Sequence, residues 1–147
     1  NRENIVGIKL TPQLNQKKEV LKKLLLEKPQ VRDISYSMFF PGKQVGHSKT
    51  KLILNGEEIG VNFDMFNADA SFFETMGLQL SMGRFYTDDI STDMGKIVVN
   101  ETFLREYGIT NPIGGSLIVG FGGLTAEIIG VVKDFYFKRF VNILNFQ

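Results

Sequence analysis

The spacing of apolar and polar residues changes along the chain, and each change marks an element. Val61, Phe63 and Met65 alternate with Asn62 and Asp64, the two-residue period of a half-buried strand. Asp69 is then placed to cap a short helix over Ala70–Met76, in which Phe72, Phe73 and Met76 fall at helical spacing. Gly77 is suited to end it, because glycine enters the left-handed region at no steric cost. Leu78, Leu80 and Met82 alternate again. Gly83-Arg84 turns the chain, and Phe85 and Tyr86 lead into an acid-rich loop, Thr87–Asp93.

The same reasoning covers the rest. Ile5–Leu10 reads as a short strand or the last turn of a helix. Thr11-Pro12 is a helix start, since Thr accepts from a free amide and Pro lacks only a donor that would be idle there. The helix it predicts runs over Gln13–Glu27. Leu14, Leu21, Leu24 and Leu25 lie on its apolar face, Val20 at the margin, and Lys17, Lys18, Lys22 and Lys23 on a solvated face. Pro29 stops it. Val31–Phe40 reads as a strand whose core face holds Ile34, Tyr36, Met38 and Phe40, with Arg32 at its end. Pro41-Gly42 breaks it, and Lys43–Ser48 reads as a polar loop. Asn55-Gly56 predicts a hairpin between Lys49–Leu54 and Glu58–Asp69. Ile97–Val99 predicts a strand. Asn100 caps a helix over Glu101–Tyr107 that Gly108 ends, with Thr102, Phe103 and Tyr107 inward. Leu117–Val119 and Leu124–Val132 are strands around a Gly120–Gly123 loop, and Phe135–Phe137 is a further strand or the start of a linker.

Helices and strands mix without a strict alternation, which predicts an α+β fold. At 147 residues, 43% apolar and 22% charged, the chain forms one globular domain with a substantial core. It contains no cysteine, which excludes disulfides and thiolate chemistry. The uncharged run of interest, Ile109–Ala126, holds five glycines and a proline, so it lacks the continuous apolar character of a spanning helix. Charge is segregated: net +7 over residues 1–51, −8 over 52–132 and +2 over 133–147. Basic ends suit a chain whose termini approach a membrane surface.

Candidate chemistry is sparse. His47, the single histidine, lies in a polar stretch, and any triad or His metal cluster would have to be built on it. Asp88, Asp89 and Asp93 lack the glycine and distal Glu of a calcium loop and read as a solvated turn guarding a sheet edge. The glycine pairs match no phosphate loop. The basic helix carries no aromatics, which argues against nucleic acid. A pocket lined by Phe72, Phe73, Phe85 and Tyr86 would suit a free-standing ligand- or protein-binding domain, although periodicity already places these rings in a core. No residue is singled out as catalytic, cofactor-binding or metal-binding.

Three blocks, in this order and spacing, carry a family resemblance. They are Phe66–Asp89 (with NADASFFETMGLQLSMGRFYTDD), Lys96–Gly115 (KIVVNETFLREYGITNPIGG) and Glu127–Phe137 (EIIGVVKDFYF). Together they resemble the extracytoplasmic core domain of MacB/FtsX-type ABC transporter permeases. The resemblance implies mixed sheets with βαβ-like porter-type units, in one compact domain over residues 1–147 with room for at most a small second lobe. It also implies a bacterial inner-membrane protein, with this domain on the periplasmic side, inserted between two membrane helices. ATP would be hydrolysed in a separate nucleotide-binding subunit or domain. The partners implied are that ATPase, reached through the rest of the permease, a second permease copy, and a periplasmic adaptor or substrate.

Overall fold

The computed structural model describes residues 4–38, 46–119, 123–135 and 140–144. Its most local feature is the hairpin. Asn55 and Gly56 take φ of 52° and 81°, the left-handed pair of a primed turn whose twist matches that of the flanking strands. They join β1 (Gly46–Leu54) to β2 (Glu57–Phe66) in antiparallel register from Gly46↔Met65 to Leu54↔Glu57. The ladder therefore takes in Gly46–Ser48, expected in a loop. Residues 43–45 lie outside the described residues.

Five more strands follow: β3 (Leu80–Gly83), β4 (Lys96–Asn100), β5 (Ser116–Val119), β6 (Leu124–Val132) and β7 (Phe140–Leu144). All seven join one mixed sheet. β4 runs parallel to β6 and β2 parallel to β7, and the other pairs are antiparallel. The pairings β6–β4–β7–β2–β1–β5 return to β6, so the sheet closes into a ring, with β3 beside the C-terminal half of β6. Closure gives ring strands partners on both sides and limits open edges. The α+β class holds, and β4, helix α5 (Glu101–Tyr107) and parallel β6 make a βαβ-like crossover.

Alternation along β4 and β6 explains their unbroken apolar runs. Ile97 and Val99 join Leu52, Val61, Phe63, Leu117, Ile128 and Val131 in one buried cluster, which Phe103 and Leu104 of α5 complete. Val98, Ile129 and Val132 enter a second cluster with Phe66, Phe72, Phe73, Met76 and Tyr86. Successive strand residues face opposite ways, so strands buried on both faces must be apolar throughout. Helix α3 (Ser71–Thr75) supplies the cover for the second face.

Several expectations fail for a shared reason. Val31–Phe40 does not build a strand over its described part, residues 31–38. It touches the chain beyond β2 through an isolated Ser37↔Ala68 bridge and the bonds Met38 N–Asn67 O (2.8 Å) and Asp69 N–Tyr36 O (3.0 Å). Three connecting residues offer no ladder to extend. The long N-terminal helix is two, α1 (Pro12–Gln16) and α2 (Lys18–Leu26), broken where Lys17 takes φ −112°, ψ 20°. Ile5–Leu10 is neither strand nor helix. Leu104 is buried in α5, where Thr102 was expected, and Met82 is exposed on β3. Phe135 is irregular, and residues 136 and 137 lie outside the described ones. The central strand β7 and the short helix α4 (Ile90–Asp93) were not foreseen.

β3 meets β6 through two glycines. A Cβ on Gly83 would lie 2.1 Å from the Ile129 carbonyl oxygen, and one on Gly130 2.2 Å from that of Arg84. Gly60 of β2 has nothing within 4 Å of its missing Cβ. Replacing Gly83 or Gly130 by Ala should therefore cost about 3 kcal/mol, whereas Gly60→Ala should be neutral or gain a few tenths of a kcal/mol. Urea unfolding of the three variants checks this, and equal midpoints would refute the packing argument.

Candidate functional site

The acidic loop is the place where chemistry was most plausible, and the structure assigns each of its carboxylates an internal partner. Gly83, at φ 69°, turns the chain off β3 so that Arg84 N donates to Ile129 O at 3.0 Å. The Arg84 guanidinium then swings onto Asp93, donating twice at 2.9 and 2.6 Å, and also to Phe85 O. Asp93 is 1% exposed and accepts further bonds from Thr87 N (2.7 Å) and Thr87 Oγ1 (3.0 Å). The Arg84 guanidinium, with the Thr87 donors, holds the Asp93 carboxyl far below the usual carboxylate range. Asp89 caps α4 by accepting from Ser91 N at 2.9 Å. Asp88 accepts from Ala70 N at 2.8 Å, just before α3, and the side-chain cap of α3 expected from Asp69 does not form among the described residues. Asp93 is buried and ties the loop to Arg84, against the expectation of a solvated turn, whereas Asp88 and Asp89 are exposed as that expectation has them. Among the described residues no three His, Asp or Glu side chains converge as metal ligands would.

The aromatic residues resolve in the same way. Phe73 stacks on Phe85 at 4.1 Å and meets Tyr86 edge-on at 4.7 Å, while Phe72 meets Phe66 at 5.3 Å. Tyr86 OH donates to Ala68 O at 2.8 Å, and burial pushes its pKa upward. Phe72, Phe73, Phe85 and Tyr86 thus fill the second cluster together, with the rings in contact, and do not line a cleft. His47 is mostly exposed, with Nδ1 2.9 Å from Oδ1 of its cross-strand partner Asp64.

The other two motif blocks also serve internal bonding. Asn100 caps α5 through Phe103 N (3.1 Å), and Gly108 ends that helix at φ 64°. Asp134, two residues past the Ile-Ile-Gly-Val-Val run, accepts from Thr102 N at 2.8 Å and pairs with Arg105. Lys96 pairs with Glu127 across the parallel β4–β6 ladder, which explains the charge that interrupts β6.

A different surface faces outward. Neither α1 nor α2 contains a buried residue, and Val6, Ile8, Val20 and Leu24 are exposed. Lys22 is not simply solvated: Nζ lies 3.2 Å from Asp69 Oδ2 and from Ser71 Oγ. Lys18 and Lys22 both sit 5.5 Å from the Tyr36 ring centroid, and Tyr36 OH donates to the Lys18 carbonyl. Sequence reasoning missed this junction because its members are up to 53 residues apart and none belongs to a recognised motif.

Ring closure, a βαβ-like crossover and motif residues engaged in internal bonding define a porter-type α+β domain. Residues 8–145 match the MacB-like periplasmic core domain family, and the chain belongs to it. It is thus an extracytoplasmic domain of an ABC transporter permease family whose members work with ATPase subunits. Two solved structures share the fold. The periplasmic region of MacB from Actinobacillus actinomycetemcomitans is 20% identical, with TM-score 0.52, over 84% of this chain and 63% of that one. A domain of a putative permease protein from Porphyromonas gingivalis is 15% identical, with TM-score 0.55, over 84% of this chain and 51% of that one. This chain therefore spans less than two thirds of either structure. No curated protein matches it.

The Arg84–Asp93 contact yields a pH prediction. Asp93 has a folded pKa depressed below its unfolded value, so its contribution is present above about pH 4 and is lost as pH falls toward the folded value. Asp93→Asn should lose roughly 2 kcal/mol at neutral pH. Its deficit against the parent should shrink steadily between about pH 5 and about pH 3. Urea midpoints measured across that range decide it, and a constant deficit would contradict the assignment.

Proposed function

We propose that this domain, residues 1–147, sits between two membrane helices of a bacterial inner-membrane permease. There it relays ATP-driven motion to export or extraction of a substrate, or to a partner protein. The match of residues 8–145 to the MacB-like periplasmic core domain carries this reading. The build of the domain supports it. A ring of paired strands with two apolar layers moves as one body, and the conspicuous motif residues hold that body together. On this reading the domain acts through surfaces. ATP hydrolysis belongs to a separate nucleotide-binding subunit or domain, and the partners are a second permease copy and a periplasmic adaptor or substrate. No second reading is favoured, because the aromatic residues that would line a ligand pocket pack on one another.

Glu57 is exposed beside the hairpin turn, so Glu57→Cys, introduced as the one cysteine of a permease cleared of any others, reports which side of the membrane the domain occupies. In the full-length permease, in intact spheroplasts, a membrane-impermeant maleimide should label it as fully as after lysis. Labelling that appears only after lysis would place the domain in the cytoplasm and overturn the proposal.

A further inference from the structure

We propose that α1 and α2 form a detachable arm, held to the domain by one polar clasp of Lys18, Lys22, Tyr36, Asp69 and Ser71, and released without unfolding the sheet. The inference deepens the proposed relay of motion and takes its purpose from that reading; the arm itself is testable without it.

The packing comes first. A helix that belongs to a core buries an apolar stripe. α1 and α2 bury no residue, and only Leu21 and Leu25 among the leucines of α2 are even half-buried. Polar contacts hold the arm instead. Lys22 reaches Asp69 Oδ2 and Ser71 Oγ, Tyr36 OH reaches the Lys18 carbonyl, and both ammonium groups lie over the Tyr36 ring. The Lys22 and Asp69 side chains are only 19% and 13% exposed, so the cost of desolvating the pair offsets much of its attraction, whereas the ring behind them is sealed by two apolar clusters.

The clasp is also incomplete. Asp69 Oδ1 is buried and, among the described residues, accepts no hydrogen bond. Burial pushes the Asp69 carboxyl pKa up, against the pull of Lys22, so the ionised form that holds Lys22 is itself disfavoured. A contact with an unsatisfied acceptor on one side gains less by forming than a complete one.

The flanking chain supplies the freedom to move. Residues 5–10 have no regular structure, and between Leu26 and the Ser37↔Ala68 bridge the chain forms neither helix nor strand. Thr75 Oγ1 donates to Asp33 Oδ2 at 2.7 Å, so the pivots lie over residues 5–10 and between Leu26 and Asp33, and the break at Lys17 lets α1 swing separately from α2.

Hydrogen exchange on the 147-residue chain tests the proposal. Amides of α2 should exchange far faster than those of β4, β6 and α5. Lys22→Met should speed α2 exchange roughly tenfold and leave the thermal midpoint of the domain unchanged. The reversal Lys22→Asp with Asp69→Lys should return α2 toward parental rates. Tyr36→Phe, which deletes one bond and no packing, should produce a smaller acceleration confined to the arm. Protection of α2 equal to that of the sheet would overturn the arm. So would clasp variants that lower the midpoint of the whole domain in step with α2. Either failure would leave the labelling test of membrane sidedness untouched, so the two proposals fall separately.

Discussion

Two backbones meet where Gly83 and Gly130 leave no side chain between them, and much of one face follows from that approach. With either Cβ present, the carbonyls of Ile129 and Arg84 would be overlapped at about two ångströms. Without it, β3 lies flat on the end of β6, and Arg84 N finds Ile129 O. This fixes where the Arg84 side chain starts. From there it reaches Asp93, whose buried carboxylate ties down Thr87 and so the entry to α4. The same loop presents Asp88 to the Ala70 amide just before α3, the helix whose Phe72 and Phe73 seal the second apolar layer. Two residues without side chains thus position a guanidinium, and the guanidinium positions a loop. Charge in that loop serves architecture, because a carboxylate with four protein donors has little capacity left for a ligand.

Much of the fold was legible because its signals are local. Asn55-Gly56 specifies a primed turn from two residues, and Asn100 and Gly108 bracket α5 with both caps inside the element. The apolar runs of β4 and β6 already signal burial on two faces. What escaped was non-local. Nothing in Val31–Phe40 says that its described part, residues 31–38, will find only three residues to lie against, so a sound alternation predicted a strand where those residues build no ladder. Nothing in Phe140–Leu144 reveals that it will sit between β2 and β4, where it closes the ring. Asp93 was indistinguishable from its neighbours as an acid in a polar loop. Only the turn at Gly83 makes it the partner of Arg84. The cap of α3 was assigned to the adjacent Asp69, but that carboxylate is engaged by Lys22 and the helix starts without a side-chain cap among the described residues.

These misses share a cause that bears on function. The residues that stand out in sequence, Gly83-Arg84, Asn100-Glu101 and Gly130 to Asp134, stand out because backbone geometry and caps demand particular residue types. Such demands are those of a scaffold. A domain that acts by contact and displacement sets looser demands on its working surface, which has to be exposed, apolar or charged in a certain region, and free to move. That kind of surface leaves no motif. It becomes visible only when exposure and packing can be read together, as they can for the N-terminal helices.

A relay of motion needs a part that does not deform and a joint that does. The ring supplies the first: its strands are paired on both sides, and its two apolar layers share β4 and β6, so a push on one layer is felt by the other. The second cannot lie within that ring, since opening any ladder there would expose core. It has to lie where contacts are few, polar and reversible. Of the described elements, α1 and α2 meet this condition. They contain no fully buried residue, two of their lysines lie over one tyrosine, and one buried carboxylate oxygen at their attachment goes unsatisfied among the described residues. The weakness of that attachment sits beside a body in which the acidic-loop carboxylates are each engaged. On the proposed relay, a rigid ring with a compliant arm would transmit movement without unfolding.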